Sequence, residues 1–148
     1  MTQVLLHSCC APCSSAILEW MLNNDYQPVI YYYNPNIFPA EEYEIRKREC
    51  SRYALKLGVS MIDGDYEHQQ WCEEMKGLED QPERGLRCLQ CFKMRLLKAA
   101  EKAKELNIEL FTTTSTASTS SGCSHAARRA NPADRSGTQA NLQTMTSF

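Results

Sequence analysis

The first 33 residues carry the pattern of a strand, a helix and a second strand, and this opening limits the chain to few folds. Gln3–His7 is a short apolar run, and Pro28–Tyr33 is rich in residues that favour strands. Between them we predict a helix that Ser14 and Ser15 can cap. Its apolar stripe, at helical spacing, is formed by Ile17, Trp20 and Met21. A right-handed connection then makes the two strands parallel neighbours in one sheet.

The chain continues this alternation as far as residue 114. The predicted elements are a helix at Glu41–Leu57 ended by Gly58, a strand at Val59–Ile62, a helix at Glu67–Met75, a helix opened by Cys88 and Cys91, and a strand at Glu109–Thr114. This order predicts an α/β fold: a Rossmann-like open, mainly parallel sheet with helices on both faces. Ligands bind such sheets beyond the carboxyl ends of the strands, so we expect the functional site at that edge.

The cysteines need a functional explanation. A chain of 148 residues forms a core without disulfides, yet this one has eight cysteines. The N-terminus lacks the pattern of a signal peptide, and no apolar segment approaches the length of a membrane span, so we expect a cytoplasmic, reducing compartment. Clustered thiols in that compartment are typical of metal or redox sites.

Two groups of cysteines are candidates for one metal site. Cys9, Cys10 and Cys13 follow the first strand, whereas Cys88 and Cys91 lie at a helix N-terminus, whose dipole favours thiolates. Four sulfurs suit a zinc ion or an iron–sulfur cluster, and the spacing leaves both open. The alternatives are therefore an iron–sulfur enzyme, a small zinc-binding structural or nucleotide-binding module, and a thiol–disulfide oxidoreductase using Cys10 and Cys13.

The isolated cysteines and the histidines are predicted to be structural. We expect Cys50 and Cys72 to be core thiols, and His7, at the end of a strand, to be packed or hydrogen-bonded. We expect His68 to be exposed. Cys123 lies in a different kind of segment and has no assigned role.

Composition changes abruptly after Thr114. From Ser115 to Phe148, 18 of 34 residues are Ser, Thr or Ala, and the segment cannot bury enough apolar surface to offset its ordering entropy. We therefore predict two regions: an α/β domain over residues 1–114 and a disordered tail over residues 115–148.

The net charge of -2 argues against a protein that binds nucleic acid through a global positive field. The basic residues of two predicted helices are expected to form solvated faces balanced by glutamates. They are Arg46, Lys47, Arg48, Arg52 and Lys56, and Lys93, Arg95, Lys98, Lys102 and Lys104.

Several motifs occur in a fixed order along the first 114 residues. They are Leu5–Cys13, Tyr32–Ile37, Glu42-Tyr43 with Arg46 and Glu49, Pro82–Leu96 and Phe111–Thr114. Together these motifs resemble the QueH-type epoxyqueuosine reductases, and the resemblance covers essentially all of residues 4 to 114. That family is cobalamin-independent and reduces epoxyqueuosine to queuosine at the wobble position of certain tRNAs, the last step of queuosine biosynthesis.

The resemblance implies a [4Fe-4S] cluster held by Cys9, Cys10, Cys88 and Cys91. It also implies a tRNA partner and an electron donor that the sequence does not identify. An additional iron would help as a Lewis acid, and we infer from the position of Cys13, a neighbour of the cluster, that it lies within reach of that iron. We expect an unstacked anticodon base to enter a pocket, with Arg46 and Arg48 contacting the RNA backbone.

The resemblance ends near Ser115. Similar proteins continue with a Ser-Pro-containing loop, further helices and a late Cys-Gly-Cys pair. Our hypothesis is that the reading frame of this chain shifts near Ser115 and that this copy is therefore inactive. The encoding DNA tests it, because an intact shifted frame would resume the family pattern.

Overall fold

A computed structural model describes residues 1–115 and the backbone of residues 146–147. The strands are β1 (Thr2–His7), β2 (Tyr26–Tyr32), β3 (Ser60–Asp63), β4 (Leu110–Thr113) and β5 (Thr146–Ser147). The helices are α1 (Ala11–Asn23), α2 (Ala40–Leu57), α3 (His68–Glu74) and α4 (Leu86–Glu105). The order of strands and helices predicted for residues 1–114 is confirmed.

One sheet contains all of these strands, in the order β3-β2-β1-β4-β5. The first four strands of that order are parallel, and β1 lies between β2 and β4, so that Leu6 is opposite Ile30 on one side and Thr112 on the other. The backbone of β5 pairs with β4 in the antiparallel direction. The prediction of an open, mainly parallel sheet is therefore confirmed.

Two apolar cores cover the two faces of the sheet, because alternate strand residues point to opposite sides. Leu6 of β1 packs in the core formed with α1 and α2, which includes Ile17, Met21 and Ala54. Its neighbour Leu5 packs in the other core, with α4. The helices thus lie on both faces, as the sequence predicted.

The first helix begins earlier than predicted. It starts at Ala11, with Cys10 at the N-cap position and a proline in the first turn, and no side chain caps it. Ser14 is buried inside the helix and donates to the Cys10 carbonyl oxygen at 2.8 Å, so the prediction of a Ser14–Ser15 cap is wrong. The apolar stripe also differs: Leu18 is buried, whereas Trp20 is exposed.

The buried face of α4 is formed by small residues and one arginine. Cys91, Arg95, Ala99 and Ala103 are buried at four-residue spacing, whereas Leu106 is exposed. The prediction that Arg95 belongs to a solvated basic face is therefore wrong. Because residues four apart lie on the same side of a helix, this face carries Arg95 inward beside Cys91.

The predicted tail, residues 115–148, lies outside the described residues except for Ser115 and the backbone of 146–147. Its predicted disorder and Cys123 are therefore not described. Among the described helices, none has the length and apolar character needed to cross a membrane.

A glycine is required on each side of β3, where the chain enters and leaves the strand. Gly58 ends α2 in the left-handed conformation, at φ 68°. Gly64 follows β3, and a Cβ added there would lie 2.8 Å from the Tyr32 carbonyl oxygen. The first glycine is needed for its backbone angle and the second for close approach to β2.

Substitutions should separate these two requirements. Gly58→Ala should lower the free energy of unfolding by about 1 kcal/mol, and Gly58→Asn by less, because asparagine tolerates the left-handed region. Gly64→Ala and Gly64→Asn should both cost about 1–3 kcal/mol, because any Cβ meets backbone there. Urea unfolding measures these values, and an asparagine at position 64 as stable as glycine would contradict the assignment.

Candidate metal centre

The end of β1 places the first cysteines at the carboxyl edge of the sheet. Ser8 continues the strand, since its amide donates to the Tyr31 carbonyl oxygen at 3.1 Å. The Asn34 side chain donates to the Ser8 carbonyl oxygen at 2.9 Å, so the loop after β2 fixes the backbone just before Cys9. The site therefore lies at the edge that the α/β pattern predicted.

Three sulfurs form a compact group at this edge. The Sγ atoms of Cys9, Cys10 and Cys13 all lie within 4.8 Å of one another. The contact between Cys10 and Cys13 is 2.9 Å and that between Cys9 and Cys10 is 3.8 Å, while all three cysteines are free thiols. Neither Cys88 nor Cys91 belongs to a group this tight within residues 1–115.

The second pair of cysteines lies at the N-terminal end of α4. This helix leads into β4, a parallel neighbour of β1, so its first turns lie at the carboxyl edge of the strands. Cys91 is fully buried, and the Trp71 indole N–H of α3 donates to its sulfur at 3.2 Å. Cys88 is half-buried. Both cysteine groups thus lie at one edge of the sheet.

The three clustered thiols differ in acidity. Hydrogen bonds with Cys10 and Cys13, with help from Thr114 and Arg95, lower the pKa of Cys9 well below its ordinary value despite burial. The hydrogen bond with Cys13 lowers the pKa of Cys10, but contact with Cys9 and burial outweigh it and raise this pKa to about 12. The hydrogen bonds with Cys10 and Cys9, together with burial, raise the pKa of Cys13. Cys9 is therefore the most acidic thiol of the group.

His7 supports the site from inside the sheet. Burial and the positive charge of Arg95 lower its pKa to about 4, although a hydrogen bond to the Tyr33 backbone acts in the other direction. Because Nε2 lies 2.7 Å from the Tyr33 carbonyl oxygen, Nε2 carries the proton and Nδ1 accepts from the Thr113 hydroxyl at 2.9 Å. The prediction of a hydrogen-bonded, packed His7 is confirmed.

Contacts connect the end of β4 to both groups of cysteines. The Thr114 hydroxyl lies 3.8 Å from the Cys9 sulfur. Next to it, the Ser115 hydroxyl accepts from Arg95 Nη1 at 3.2 Å, and Arg95 Nε donates to the Cys91 carbonyl oxygen at 3.4 Å. Thr114, Ser115 and Arg95 therefore form a chain of contacts from Cys9 to Cys91.

The other cysteine and histidine predictions have mixed outcomes. Cys50 is buried, with its sulfur 3.6 Å from the Ser8 hydroxyl oxygen, as predicted. Cys72 is exposed, so its prediction as a core thiol is wrong. His68 is half-buried rather than exposed: its Nδ1 lies 2.7 Å from the Pro35 carbonyl oxygen, and its ring stacks on those of Phe38 and Trp71.

An open depression of about 700 Å³ lies along α3, and no cysteine lines it. Its lining is acidic and polar: Glu67, Gln69, Gln70, Glu73 and Glu74. Negative charge there suits neither a thiolate metal site nor an RNA backbone, so the sulfurs define the candidate site.

Comparison with known proteins identifies the family. The family model described as "Epoxyqueuosine reductase QueH" matches residues 4–142. The chain belongs to the QueH family.

Several curated relatives carry the name Epoxyqueuosine reductase QueH. The protein of Haemophilus influenzae is 51% identical over 110 residues, which cover 74% of this chain and 45% of the relative. That of Acinetobacter baylyi is 47% identical over 109 residues, covering 74% and 50%. That of Thermotoga maritima is 31% identical over 121 residues, covering 80% and 61%. The chain spans about half the length of the first two relatives.

The donor chemistry of this QueH chain suits a thiophilic metal centre. The grouped ligand atoms are all sulfur, with no imidazole or carboxylate among them. Thiolate sulfur is the ligand type of iron–sulfur clusters and of many zinc sites. The site residues therefore fit a metal held by cysteines. They fit a zinc ion as well as an iron–sulfur cluster.

Three supporting residues were not predicted from sequence. Thr114 contacts the Cys9 sulfur, and Trp71 donates to the Cys91 sulfur. Neither carries a sequence signal that separates it from an ordinary strand or helix residue. Arg95 had such a signal, since it lies four residues after Cys91 and four before Ala99.

The Thr113–His7 contact gives a stability prediction. Thr113→Val keeps the shape of the side chain but removes the hydroxyl that donates to His7 and accepts from the Ser115 amide at 3.0 Å. We expect the free energy of unfolding to fall by about 1–3 kcal/mol, because buried polar groups lose their partners. The same substitution at exposed Thr2 is the control and should change stability by less than about 0.5 kcal/mol. Equal stability of the two variants in urea would contradict the role of Thr113.

Proposed function

We propose that this chain carries the cysteine site of an epoxyqueuosine reductase, an iron–sulfur oxidoreductase that acts on tRNA in the cytoplasm. Family membership supports the reaction, and relatives with the same name are up to 51% identical. The observation that carries the proposal is the placement of Cys9 and Cys10 at one edge of the sheet with the N-terminal end of α4. An all-cysteine site there is suited to electron transfer rather than to hydrolysis.

The proposed ligands of a [4Fe-4S] cluster are Cys9, Cys10, Cys88 and Cys91. Adjacent cysteines suit a cluster because each can bind a different iron. The protein contributes the lowered pKa of Cys9, which favours its ligating thiolate form, and the Trp71 indole N–H that donates to the Cys91 sulfur. When bound, the cluster supplies electrons one at a time.

Cys13 is proposed as a neighbour of the cluster rather than one of its ligands. It is the exposed member of the sulfur group and lies toward solvent, from which substrate arrives. An additional iron beside Cys13 would act as a Lewis acid on the epoxide oxygen.

The proposed reaction is a two-electron reduction of the epoxide. Both carbon–oxygen bonds of the epoxide break, a carbon–carbon double bond forms, and the oxygen leaves as water. Two electrons and two protons are consumed, so an external electron donor is a necessary partner. The half-buried and exposed thiols give such a donor and the substrate access to the site.

A second candidate, thiol–disulfide exchange, is favoured by one observation. The 2.9 Å contact between Cys10 and Cys13 brings two thiols together at the start of a helix, as in dithiol oxidoreductases. That activity predicts turnover of a dithiol substrate that survives the loss of Cys88 and Cys91.

Metal analysis distinguishes these functions. Chain purified without oxygen should contain acid-labile sulfide and at least an equal amount of iron, since an additional iron beside Cys13 brings no sulfide. Replacing Cys9, Cys10, Cys88 or Cys91 singly by serine should remove both, because each is a proposed ligand. Cys13→Ser and the exposed control Cys72→Ser should retain both. Zinc without sulfide in the wild-type chain would overturn the cluster, and loss of iron in Cys13→Ser but not in Cys88→Ser would overturn the ligand set.

Arg46 is the better placed of the two arginines predicted to contact RNA. Burial lowers its pKa, but its 2.7 Å ion pair with Glu42 outweighs this and raises the pKa overall. Arg46 lies one helical turn before Cys50, whose sulfur is 3.6 Å from the hydroxyl of Ser8, the residue that precedes Cys9. Arg48 is exposed and lies about 200° away around α2. The two arginines therefore probe different faces of one helix.

Single substitutions test which face binds tRNA. Arg46→Gln should weaken binding and reduce the slope of log affinity against log salt by about 1, because one phosphate contact is lost. Arg48→Gln is the matched control and should retain the wild-type slope. Fluorescence anisotropy with a tRNA that carries epoxyqueuosine measures both, and a wild-type slope for Arg46→Gln would exclude this face.

A further inference from the structure

Arg95 is a buried guanidinium in the middle of α4. Its exposure is 4%, and its neighbours on the same face of the helix are Cys91, Ala99 and Ala103. Arginine does not lose its proton in proteins, so this side chain keeps its positive charge inside the fold. A buried charge is very unfavourable unless an opposite charge compensates it.

The direct partners of Arg95 are neutral. Its Nε donates to the Cys91 carbonyl oxygen and its Nη1 to the Ser115 hydroxyl. Among residues 1–115, the ion pairs involve Arg46, Lys47, Arg52, Lys98 and Lys102, and no carboxylate pairs with Arg95. Its two hydrogen bonds orient the guanidinium but supply no negative charge.

Contacts connect Arg95 to both groups of cysteines, whose sulfurs carry negative charge as thiolates. Arg95 contacts Cys91 through the backbone, one helical turn away. Through Ser115 it reaches the end of β4, where Thr114 contacts the Cys9 sulfur. Its charge also acts on the pKa values of His7 and Cys9, and lowers both. The guanidinium is therefore connected to Cys91 directly and to Cys9 through the end of β4.

We propose that Arg95 is the fixed counter-charge of a centre formed by both cysteine groups, and that it stabilises this centre in its more negative state. The proposal rests on the function proposed above and adds a positioning residue to it. A metal bound by four thiolates carries net negative charge, whether it is zinc or an iron–sulfur cluster. Addition of one electron from an external donor makes a cluster more negative by one charge, and a nearby positive charge favours that gain.

Three variants separate the charge of Arg95 from its packing. Arg95→Lys keeps the charge, Arg95→Gln keeps hydrogen-bond donors without the charge, and Lys104→Met removes one charge from an exposed position of the same helix. Urea unfolding identifies any variant that fails to fold, and Arg95→Met, which is also neutral, replaces Arg95→Gln if the glutamine variant does not fold.

The midpoint potential of the centre is the main measurement. The full chain is loaded with iron and sulfide under anaerobic conditions and titrated with dithionite. We expect a more negative potential in Arg95→Gln, a smaller shift in Arg95→Lys, and the wild-type value in Lys104→Met. A wild-type potential in folded Arg95→Gln would overturn the proposal, and so would a shift in Arg95→Lys as large as that in Arg95→Gln.

A second measurement does not depend on which metal binds. The rate at which a chelator removes the metal should increase in Arg95→Gln relative to wild type and Lys104→Met, because the anionic site loses its counter-charge. If the wild-type chain holds zinc, the proposal of an iron–sulfur cluster is wrong. Faster zinc release from Arg95→Gln would still support the role of Arg95 as a counter-charge. Unchanged release would overturn the counter-charge and leave the metal assignment intact.

Discussion

The pairing of β1 with two parallel neighbours is the constraint on which the site depends. Because β1 hydrogen-bonds to β2 on one side and β4 on the other, the positions of three chain segments are fixed at one edge of the sheet. Cys9 and Cys10 follow β1 directly, the loop carrying Asn34 follows β2, and Thr114 and Ser115 follow β4. The contacts around the thiols are contacts among these three ends, so a change in register of β1 would separate all of them.

The sequence predicted the sheet well because its signals were periodic and independent of distant contacts. Strand residues alternate between two cores, and helix residues repeat at three- and four-residue intervals, so each element could be recognised alone. The start of α1 was harder to predict. Ser14 and Ser15 have the residue type of caps, but the proline that follows Ala11 suits the first turn, so the helix begins before them.

The errors at the site concern burial of polar groups. Cys72 and His68 were predicted from average behaviour of their residue types, yet Cys72 is exposed and His68 is held by stacking rings and a carbonyl oxygen. Arg95 was assigned to solvent because arginine is rarely buried. Its residue type favours solvent, but its position does not, because the four-residue spacing from Cys91 to Ala99 places it on the inner face of α4. A charge on an otherwise small and apolar face is therefore a sequence signal for a site.

The separation of the cysteines along the chain makes metal binding and folding interdependent. Cys9 and Cys10 belong to the end of β1, whereas Cys88 and Cys91 belong to the start of α4, and these elements meet only in the folded chain. A metal bound by both groups would thus favour the folded state over the unfolded one. The contact of Arg95 with Ser115 and that of Trp71 with Cys91 also hold this edge together. The geometry of the site therefore depends on side chains outside the ligand set, and a variant of these residues would change the metal site while every cysteine remained.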